Sequence, residues 1–514
     1  MAAVPEYDVL VVGGGINGIG IARDAAGRGL SVLLCEQDDL AAHTSSASTK
    51  LIHGGLRYLE HYEFNLVRKA LQEREVLLRA APHIIRPLRF VMPHNAALRP
   101  AWLIRLGLLF YDHLGKRELL AGSTGIDLAA SPLGQPLRSG IKRGFVYSDA
   151  WVDDARLVVL NAIDASERGA TVLPGTRFVS ATRGADRWEA ALQPSDVGAS
   201  RRVRARTLVN AAGPWVVHLL RDALGIPPKR SLLMAKGSHI VVRRLFEHDH
   251  AYILQNPDKR IIFAIPYEHD YTLIGTTDVA FDADPARPAI SAQETDYLCA
   301  MANHYFKRQI GPGDVVWSYS GVRPLLEEEA ADLSAVTRDY ALEYDAGPDR
   351  APLLSVFGGK ITTYRRLAEE ALDLLAPALG GVRPVWTARA HLPGGDIANA
   401  DFEAFALRVG RQYPWLPPAQ CRRYARAYGT RIERLIGGAS SVAGLGENLG
   451  DGIFEAEVDY LVKHEWARTA DDILWRRSKL GLHVTTKTAQ QLANALPAFV
   501  TAHQKQEIRH ATNA

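Results

Sequence analysis

The first 36 residues of the chain combine an apolar strand, a glycine-rich turn, a helix and a second apolar strand that ends on an acidic residue. The strands are predicted over residues 7–12 and 31–35, and Glu36 follows the second one. The glycines of the turn have the spacing GxGxxG, at Gly13, Gly15 and Gly18. In a dinucleotide-binding βαβ unit, such glycines allow a tight turn, close approach of the backbone to a pyrophosphate and close helix packing, while the acid binds a ribose hydroxyl. An ordinary glycine-rich turn is the alternative, but the four features in register favour a nucleotide site on a parallel sheet.

The segment after Glu36 departs from the regular βα units that usually continue a nicotinamide-binding domain. It is a small, polar run over residues 43–50 that contains hydroxyls and Lys50, and it is followed by Gly54 and Gly55. Such a segment is suited to wrap a cofactor whose ring must be held in place. We therefore expect it to contact the diphosphate and sugar chain of a cofactor, and the two glycines to approach the ring.

Several further motifs, together with these segments, resemble those of the FAD-dependent glycerol-3-phosphate dehydrogenases. They are the runs at 148–157 (SDAWVDDARL), 210–215 (NAAGPW), 236–240 (KGSHI), 274–278 (IGTTD), 319–324 (YSGVRP) and 357–365 (FGGKITTYR). The resemblance covers nearly the whole chain and is closest to the aerobic respiratory form of bacteria. It implies FAD as the cofactor. The residues that it implies at the FAD site are Gly13, Gly15, Asn17, Gly18, Glu36, Thr44, Ser45, Ser46, Lys50, Leu51, His53, Gly213, Gly358, Gly359, Lys360 and Thr362.

The length and the order of predicted elements indicate an α/β protein of three parts. At 514 residues the chain is too long for one compact core. We expect a discontinuous Rossmann-like FAD-binding domain over residues 1–85, 145–233 and 346–392, an antiparallel-sheet substrate domain over 86–144 and 234–345, and a helical C-terminal domain over 396–514. Helices of this last domain are predicted over 420–436, 454–468 and 470–479, whereas the proline-bearing stretch 82–100 is assigned no element.

Composition excludes some classes of function. Sixty Lys and Arg residues against 57 acids give a formal charge of +3, which offers no case for nucleic-acid binding. Cys35, Cys299 and Cys421 have no metal-ligand spacing, and no HExxH motif or ligand cluster predicts a metal site. The N-terminus lacks the cationic region of a signal peptide, so none is expected. We therefore expect a protein of a reducing compartment.

Four cations flank glycine-rich turns or stand on a neighbouring segment, and they are candidates for substrate binding. Arg57 follows Gly54 and Gly55, Arg323 follows Gly321, Lys360 follows Gly358 and Gly359, and Arg338 stands apart. Any one of them could be a solvated surface charge. Four cations exceed what a monocarboxylate needs, whereas a phosphomonoester carries up to two charges and three acceptor oxygens. The surplus favours a phosphorylated substrate, and the resemblance implies that these residues, with Tyr58, bind phosphoglycerol.

His239 is the candidate proton acceptor. It lies inside a short apolar strand, where a histidine is often a satisfied core residue. The ordinary pKa of imidazole nevertheless suits it to accept a proton near pH 7. We therefore predict His239 as the base or its relay, and keep Arg323 as the alternative catalytic residue because we expect it close to the reacting hydroxyl.

The resemblance implies oxidation of sn-glycerol 3-phosphate to dihydroxyacetone phosphate by hydride transfer to FAD, with electrons passed to a membrane quinone. The alternative is a soluble oxidase that passes electrons to oxygen. The apolar run 100–111, interrupted by Arg105, could lie on a membrane or pack inside the protein, but it is too short to cross one. Further arginines could add a basic face for anionic lipid, namely Arg422, Arg423, Arg426, Arg431 and Arg434. We expect a homodimeric, peripheral enzyme on the cytoplasmic face of the inner membrane.

Overall fold

The computed structural model describes residues 4–94, 100–195, 199–256, 258, 260–327 and 339–513, without the side chains of residues 57, 60, 61 and 507–513. The strands in these ranges are, in chain order, β1 Glu6–Val12, β2 Val32–Cys35, β3 Leu51–Ile52, β4 Ile85–His94, β5 Thr124–Asp127, β6 Arg143–Val152, β7 Thr171–Leu173, β8 Thr176–Arg183, β9 Trp188–Pro194, β10 Arg201–Asn210, β11 Leu232–Arg243, β12 Ala251–Gln255, β13 Ile261–Tyr267, β14 Tyr271–Gly275, β15 Val279–Ala280, β16 Val315–Leu326, β17 Tyr340–Gly347 and β18 Arg350–Gly358. The α-helices are α1 Ile16–Gly27, α2 Phe64–Ala80, α3 Ala101–His113, α4 Asp154–Glu167, α5 Val216–His218, α6 Ala292–Tyr305, α7 Tyr364–Leu379, α8 Phe402–Gln412, α9 Pro418–Tyr428, α10 Ile432–Ile436, α11 Glu455–Glu465 and α12 Thr486–Asn513.

The first sheet contains the predicted βαβ unit. Its strands run in the order β17-β18-β10-β1-β2-β7, and all neighbours from β18 to β7 are parallel. Helices α1, α4 and α7 contribute to the core that packs on one face, and α1 is buried along most of its length. Because the strands are parallel, the loops after β1, β10 and β18 meet at one edge of the sheet, as in other doubly wound folds.

The second sheet is mostly antiparallel and carries the motifs at 236–240, 274–278 and 319–324. Its strands run in the order β15-β11-β14-β13-β12-β4-β6-β3, with β16 paired to β11 and β5 paired to β6. Strand pairing places β3 and β6 in this sheet and β17 in the first one, because β17 forms an antiparallel pair with β18. The predicted boundaries place β3 and most of β6 in the FAD-binding domain, and most of β17 in the substrate domain. The division into these domains remains a proposal.

Two segments differ from the sequence prediction in the type of element. The proline-bearing stretch contains β4, which pairs with β6 over ten residues despite Pro87 and Pro93. On its other side β4 pairs with β12 only at Phe90 and Val91, so neither proline has to donate to that neighbour. The predicted helix over 420–436 is divided at Gly429, whose positive φ and close contact with Gly394 interrupt it between α9 and α10.

The C-terminal region is helical and is anchored to the first sheet by buried ion pairs. Arg156 of α4 is paired with Glu465 of α11, and both side chains are almost completely buried. The segment predicted as an amphipathic helix over 470–479 is a short π-helix at Asp472–Arg477, and Arg477 donates to both oxygens of Asp39. This contact ties the C-terminal region to the loop that follows Glu36. Among the described residues, no helix combines the length and the apolar character needed to span a membrane.

Candidate active site

A continuous channel runs along the edge of the first sheet and ends against the second sheet. It consists of two cavities of ≈ 230 and ≈ 290 Å³ that share wall residues, among them Gly15, Ser45 and Gly213. The predicted cofactor residues line this channel, except for Gly18, Ser46 and Lys50. One end contains Glu36, and the other contains Arg323 and Lys360.

The first glycine turn holds the backbone close to the channel. Gly13 has φ +116, and a Cβ there would lie 2.4 Å from the Ala211 carbonyl oxygen. A Cβ on Gly18 would lie 2.0 Å from the Gly13 oxygen, so this glycine serves helix packing and does not itself line the channel. Helix α1 begins here, and its N-terminus directs backbone N–H groups and a partial positive charge toward the space a diphosphate needs.

Glu36 closes the nucleotide end of the channel. Its carboxylate accepts hydrogen bonds from the backbone N–H groups of Gly14, at 2.6 Å, and Asp38, at 2.9 Å. Burial raises the pKa of Glu36, and these N–H donors oppose that shift. The carboxylate is therefore fixed in orientation at the position where the βαβ unit binds a ribose. Ligand atoms of Glu36, Asp38 and His43 lie within 4.8 Å of one another, and His43 pairs with Asp38.

A second glycine turn forms the opposite wall. Gly358 and Gly359 have φ +71 and +103, and a Cβ on Gly359 would lie 2.8 Å from the Asn17 side chain. Asn17 donates through Nδ2 to the Gly358 oxygen, at 3.1 Å, while its buried Oδ1 has no hydrogen-bond partner in the described part of the chain. Helix α7 begins four residues after Lys360, so a second helix N-terminus faces the channel beside Thr362.

Lys50 and Ser46 lie differently from the prediction. Lys50 was expected to contact the cofactor, but its ammonium group is completely buried, 2.8 Å from Asp154, and it also donates to the Ser46 oxygen. Asp154 accepts two further hydrogen bonds from Ser48. Ser46 faces a neighbouring cavity on the other side of the same loop. The Lys50 ammonium thus joins Asp154 to the backbone at Ser46 and holds the loop in place. Its charge is balanced by the Asp154 carboxylate and not by a phosphate.

The channel fits FAD on its own geometry. Glycine replaces side chains where the backbone must approach a ligand, two helix N-termini point at the space, and a buried amide oxygen on Asn17 has its acceptor capacity free among the described residues. Gly13, Gly15, Ser45 and the α1 N-terminus would hold the diphosphate, and Glu36 the ribose. Residues 358–362 would lie against the ring, where the α7 N-terminus favours the negative charge of a reduced flavin.

The two cations that the structure describes at the substrate end face one cavity. Arg323 donates to Asp278, at 3.2 Å, and to Thr276 Oγ1, at 3.1 Å, and these contacts help to orient its guanidinium. The Lys360 ammonium lies 3.9 Å from the centre of the Tyr58 ring, and both residues line the cavity with Arg323. The Arg57 side chain and all of Arg338 lie outside the described residues.

His239 lies behind the cavity wall and does not line it. Its side chain is fully buried, it stacks on the Tyr319 ring, and its Nε2 lies 3.0 Å from Thr49 Oγ1. Burial, followed by the charges of Arg323 and Lys50, lowers the pKa of His239 well below its usual value of 6.5. The imidazole is therefore neutral at pH 7, and it reaches the cavity through Thr49.

Thr49, Thr276 and Asp278 were not singled out in the sequence, although the segments that contain them were. The pairing register explains why they are at the site. Strands β11, β14 and β16 align His239 with both Gly275 and Tyr319, and Gly237 with Gly321. The opposed glycines leave room above the sheet, so that Arg323 lies over Gly237 and Ala47 lies over Gly321. The single glycine of each motif, Gly237 in KGSHI and Gly321 in YSGVRP, was the signal that could have placed the loop there.

Comparison with known proteins agrees with this geometry. The family described as FAD dependent oxidoreductase matches residues 8–365, and the C-terminal domain of alpha-glycerophosphate oxidase matches residues 385–507. The fold and the channel thus define an FAD-dependent oxidoreductase.

Individual relatives indicate which group of FAD-dependent oxidoreductases the chain belongs to. The chain is 53% identical to the aerobic glycerol-3-phosphate dehydrogenase of Escherichia coli (strain K12), over 96% of this chain and 97% of that protein. It is 52% identical to the D-erythritol 1-phosphate dehydrogenase of Brucella abortus (strain 2308), over 94% and 96%. The crystal structure of the glycerol-3-phosphate dehydrogenase from Bacillus halodurans, complexed with FAD, aligns with a TM-score of 0.75 at 28% identity, over 97% of this chain and 91% of that one. The chain belongs to the family of FAD-dependent glycerol-3-phosphate dehydrogenases.

Proposed function

We propose that the protein oxidises sn-glycerol 3-phosphate to dihydroxyacetone phosphate, with FAD as the hydride acceptor. The observation that carries the proposal is that Arg323 and Lys360 face one cavity beside the glycine turn at 358–359. A phosphate dianion can accept a charge-assisted hydrogen bond from each of them. The polyol phosphates in the names of the two bacterial relatives support a phosphorylated alcohol.

In this proposal, the protein positions the substrate and holds the proton that leaves it. FAD, when bound, supplies a two-electron acceptor for the hydride of the carbon that bears the hydroxyl. Arg323 is oriented by Asp278 and Thr276, so it presents fixed donors to the phosphate or to the reacting oxygen. Lys360 and Tyr58 line the same cavity as Arg323, and Arg57 and Arg338 remain predicted phosphate ligands. His239 takes the hydroxyl proton as the base or its relay, and Arg323 is the alternative acceptor of that proton.

The length of the substrate is the first point to test, because one relative of equal similarity is named for a four-carbon substrate. A dye-linked assay should compare sn-glycerol 3-phosphate, D-erythritol 1-phosphate and unphosphorylated glycerol. We expect the highest kcat/KM with glycerol 3-phosphate and no turnover of glycerol, since glycerol has no phosphate for the two cations. A preference for erythritol 1-phosphate would replace the substrate but keep the chemistry. Equal rates with glycerol would contradict the phosphate site.

For the electron acceptor we propose a membrane quinone rather than oxygen. Helix α3 supports this, because one of its faces exposes apolar side chains: Trp102 is 69% exposed and Phe110 52%, and Leu103, Leu106 and Leu109 are also exposed. Such a face is suited to lie in a lipid surface. The name of the Escherichia coli relative, an aerobic enzyme, is consistent with it.

The arginines of the C-terminal region do not support the predicted basic face. Arg422 and Arg426 pair with Glu403, Arg423 pairs with Glu457, and Arg431 and Arg434 both pair with Glu167. These five arginines share three carboxylates, so much of their charge is paired within the protein, and contact with anionic lipid is proposed for the α3 region. A comparison of quinone reduction in liposomes with oxygen consumption tests the acceptor. Rapid oxygen consumption without a preference for quinone would favour the soluble oxidase.

A further inference from the structure

His239 cannot receive a proton directly from a molecule in the cavity. Its side chain has no exposed area, and strand β14 closes the wall in front of it, since a Cβ on Gly275 would lie 2.1 Å from the imidazole. Thr49 lies between the cavity and His239. It lines the cavity with Arg323 and Lys360, and its Oγ1 lies 3.0 Å from His239 Nε2. Any proton that reaches His239 from this side of the cavity passes the threonine hydroxyl.

The surrounding contacts fix Thr49 at this place. Ser48 and Lys50, the neighbours of Thr49 in the chain, are both bonded to the buried carboxylate of Asp154. Tyr319 donates from its hydroxyl to the Ser48 oxygen, at 2.8 Å, and its ring stacks on His239 with centroids 4.7 Å apart. The hydroxyl and the imidazole are thus positioned by the same set of residues.

We propose that Thr49 is a catalytic residue that relays the proton of the substrate hydroxyl to His239. This inference rests on the proposed oxidation of a secondary alcohol. When the C–H bond is lost as a hydride, the O–H bond breaks and a C=O double bond forms. The substrate proton goes to Thr49 Oγ1, the proton of Thr49 goes to His239 Nε2, and the products are the ketone and an imidazolium.

The charges that face His239 are compatible with such a step. The positive charges of Arg323 and Lys50 both lower the pKa of the imidazole. Each of these cations is paired with a carboxylate, Lys50 with Asp154 and Arg323 with Asp278. His239 is therefore neutral and ready to accept a proton before substrate binds. A phosphate dianion at Arg323 would offset part of that positive field and so favour the imidazolium. Because the relay delivers its proton to Nε2, the neutral imidazole carries its own hydrogen on Nδ1, an atom without a hydrogen-bond partner among the described residues.

The test compares Thr49→Val, which removes the hydroxyl at constant shape, with Thr49→Ser, which keeps it. We expect anaerobic reduction of the bound flavin by sn-glycerol 3-phosphate to fall by about 100-fold in the valine variant, and the serine variant to recover most of that loss. FAD affinity, thermal stability and the binding of dihydroxyacetone phosphate, measured separately, should stay at parental values in both variants.

A double variant gives a second and independent readout. His239→Phe retains a ring on Tyr319 but removes the nitrogen, so it should slow reduction and change its pH profile. If the two groups act in series, Thr49→Val with His239→Phe should be no slower than the slower single variant. Parental reduction in Thr49→Val, or multiplicative losses in the double variant, would overturn the relay. Failure of sn-glycerol 3-phosphate to reduce the parent protein would instead overturn the proposed function.

Discussion

Arg323 is the residue whose environment most constrains the substrate. Its guanidinium is held by Asp278 and Thr276 at the wall of the cavity, so its geometry is preset before a ligand arrives. We predict that Arg323→Ala and Lys360→Ala each lower kcat/KM by at least about tenfold while FAD stays bound, since hydrogen bonds to charged groups are worth about 1.5–3 kcal/mol. Arg323→Lys should recover little, because a point charge cannot replace an oriented fork.

Steady-state kinetics and the visible spectrum check this prediction together. Arg221→Ala is a suitable control, because Arg221 is an exposed arginine paired with Asp222 away from the cavity. An alanine variant at position 323 or 360 with parental kcat/KM would remove that residue from the substrate site.

His83 is a second residue with a defined consequence, in this case for stability. Both ring nitrogens are buried without a hydrogen-bond partner in the described chain, and burial, with the charges of Arg156 and Arg426, lowers its pKa from 6.5 to about 3. In the unfolded state His83 therefore binds a proton below pH 6.5, whereas in the folded state it binds one only near pH 3. This group lowers stability as pH falls through that window, by about 2 kcal/mol at pH 5.

We predict that His83→Leu flattens the dependence of Tm on pH. The parent should lose more Tm between pH 7.5 and pH 5 than the variant does, whatever the difference at pH 7.5. Differential scanning calorimetry at the two pH values measures it. Equal losses in both proteins would show that His83 is accessible to protons in the folded state.

Lys50 and His239 show what local sequence could and could not predict at this scale. The glycines of both turns were predicted because their spacing is itself the requirement for backbone approach. Lys50 sits in the same polar run as residues that line the channel, but Asp154, 104 positions later, determines where its charge goes. His239 was predicted as a base or relay from its strand, yet its burial depends on Gly275 of another strand. A single sequence does not predict contacts between residues that lie so far apart in the chain.

At the scale of elements, periodicity predicted the strands and helix of the first βαβ unit, whereas a proline-bearing strand and a glycine-divided helix show why other elements differ from the prediction. No strand is predicted from the sequence at β4 because Pro87 and Pro93 are typical of loops. The strand forms by pairing with β6 along its length, and the prolines are tolerated because β12 pairs only with the middle of β4. Gly429 divides a helix that its arginine pattern made look continuous. In both cases the deciding partner is remote in the chain.

Helix α3 is the element with a testable role at a membrane. We predict that replacing Leu103 and Phe110 together with serine weakens sedimentation with liposomes and slows quinone reduction, because the exposed apolar area is lost. Reduction of a soluble dye should be unchanged, since the flavin channel lies elsewhere. Added salt should also weaken binding to anionic liposomes, because the hydrogen-bond partners of Arg105 on Ser123 are uncharged and do not compensate its positive charge.

Serine at two exposed leucines on other helices, Leu374 of α7 and Leu407 of α8, is the matched control. The same loss of liposome binding in both double variants would mean that α3 has no special role. Liposome binding that survives the α3 substitutions would place the membrane contact on another surface.

At the scale of the whole molecule, the C-terminal region, the first sheet and the second sheet meet around the loop at 36–50. Arg477 holds Asp39 from the C-terminal side, Asp154 holds Lys50 from α4, and Thr44 donates to the Val322 oxygen of β16. The loop therefore contacts the C-terminal region, α4 and β16, and it connects the FAD channel with the substrate end. This arrangement agrees with the proposed function, in which the parallel sheet holds the cofactor and the substrate lies between Arg323 of β16 and Lys360 after β18.

The most direct test of that account is the visible spectrum of the purified, FAD-loaded protein under anaerobic conditions. Addition of sn-glycerol 3-phosphate should bleach the visible absorption band of the oxidised flavin, with about one equivalent of substrate consumed per flavin. Glycerol, which lacks the phosphate, should leave the band unchanged. A flavin band that persists in excess sn-glycerol 3-phosphate, yet disappears with dithionite, would contradict the central claim.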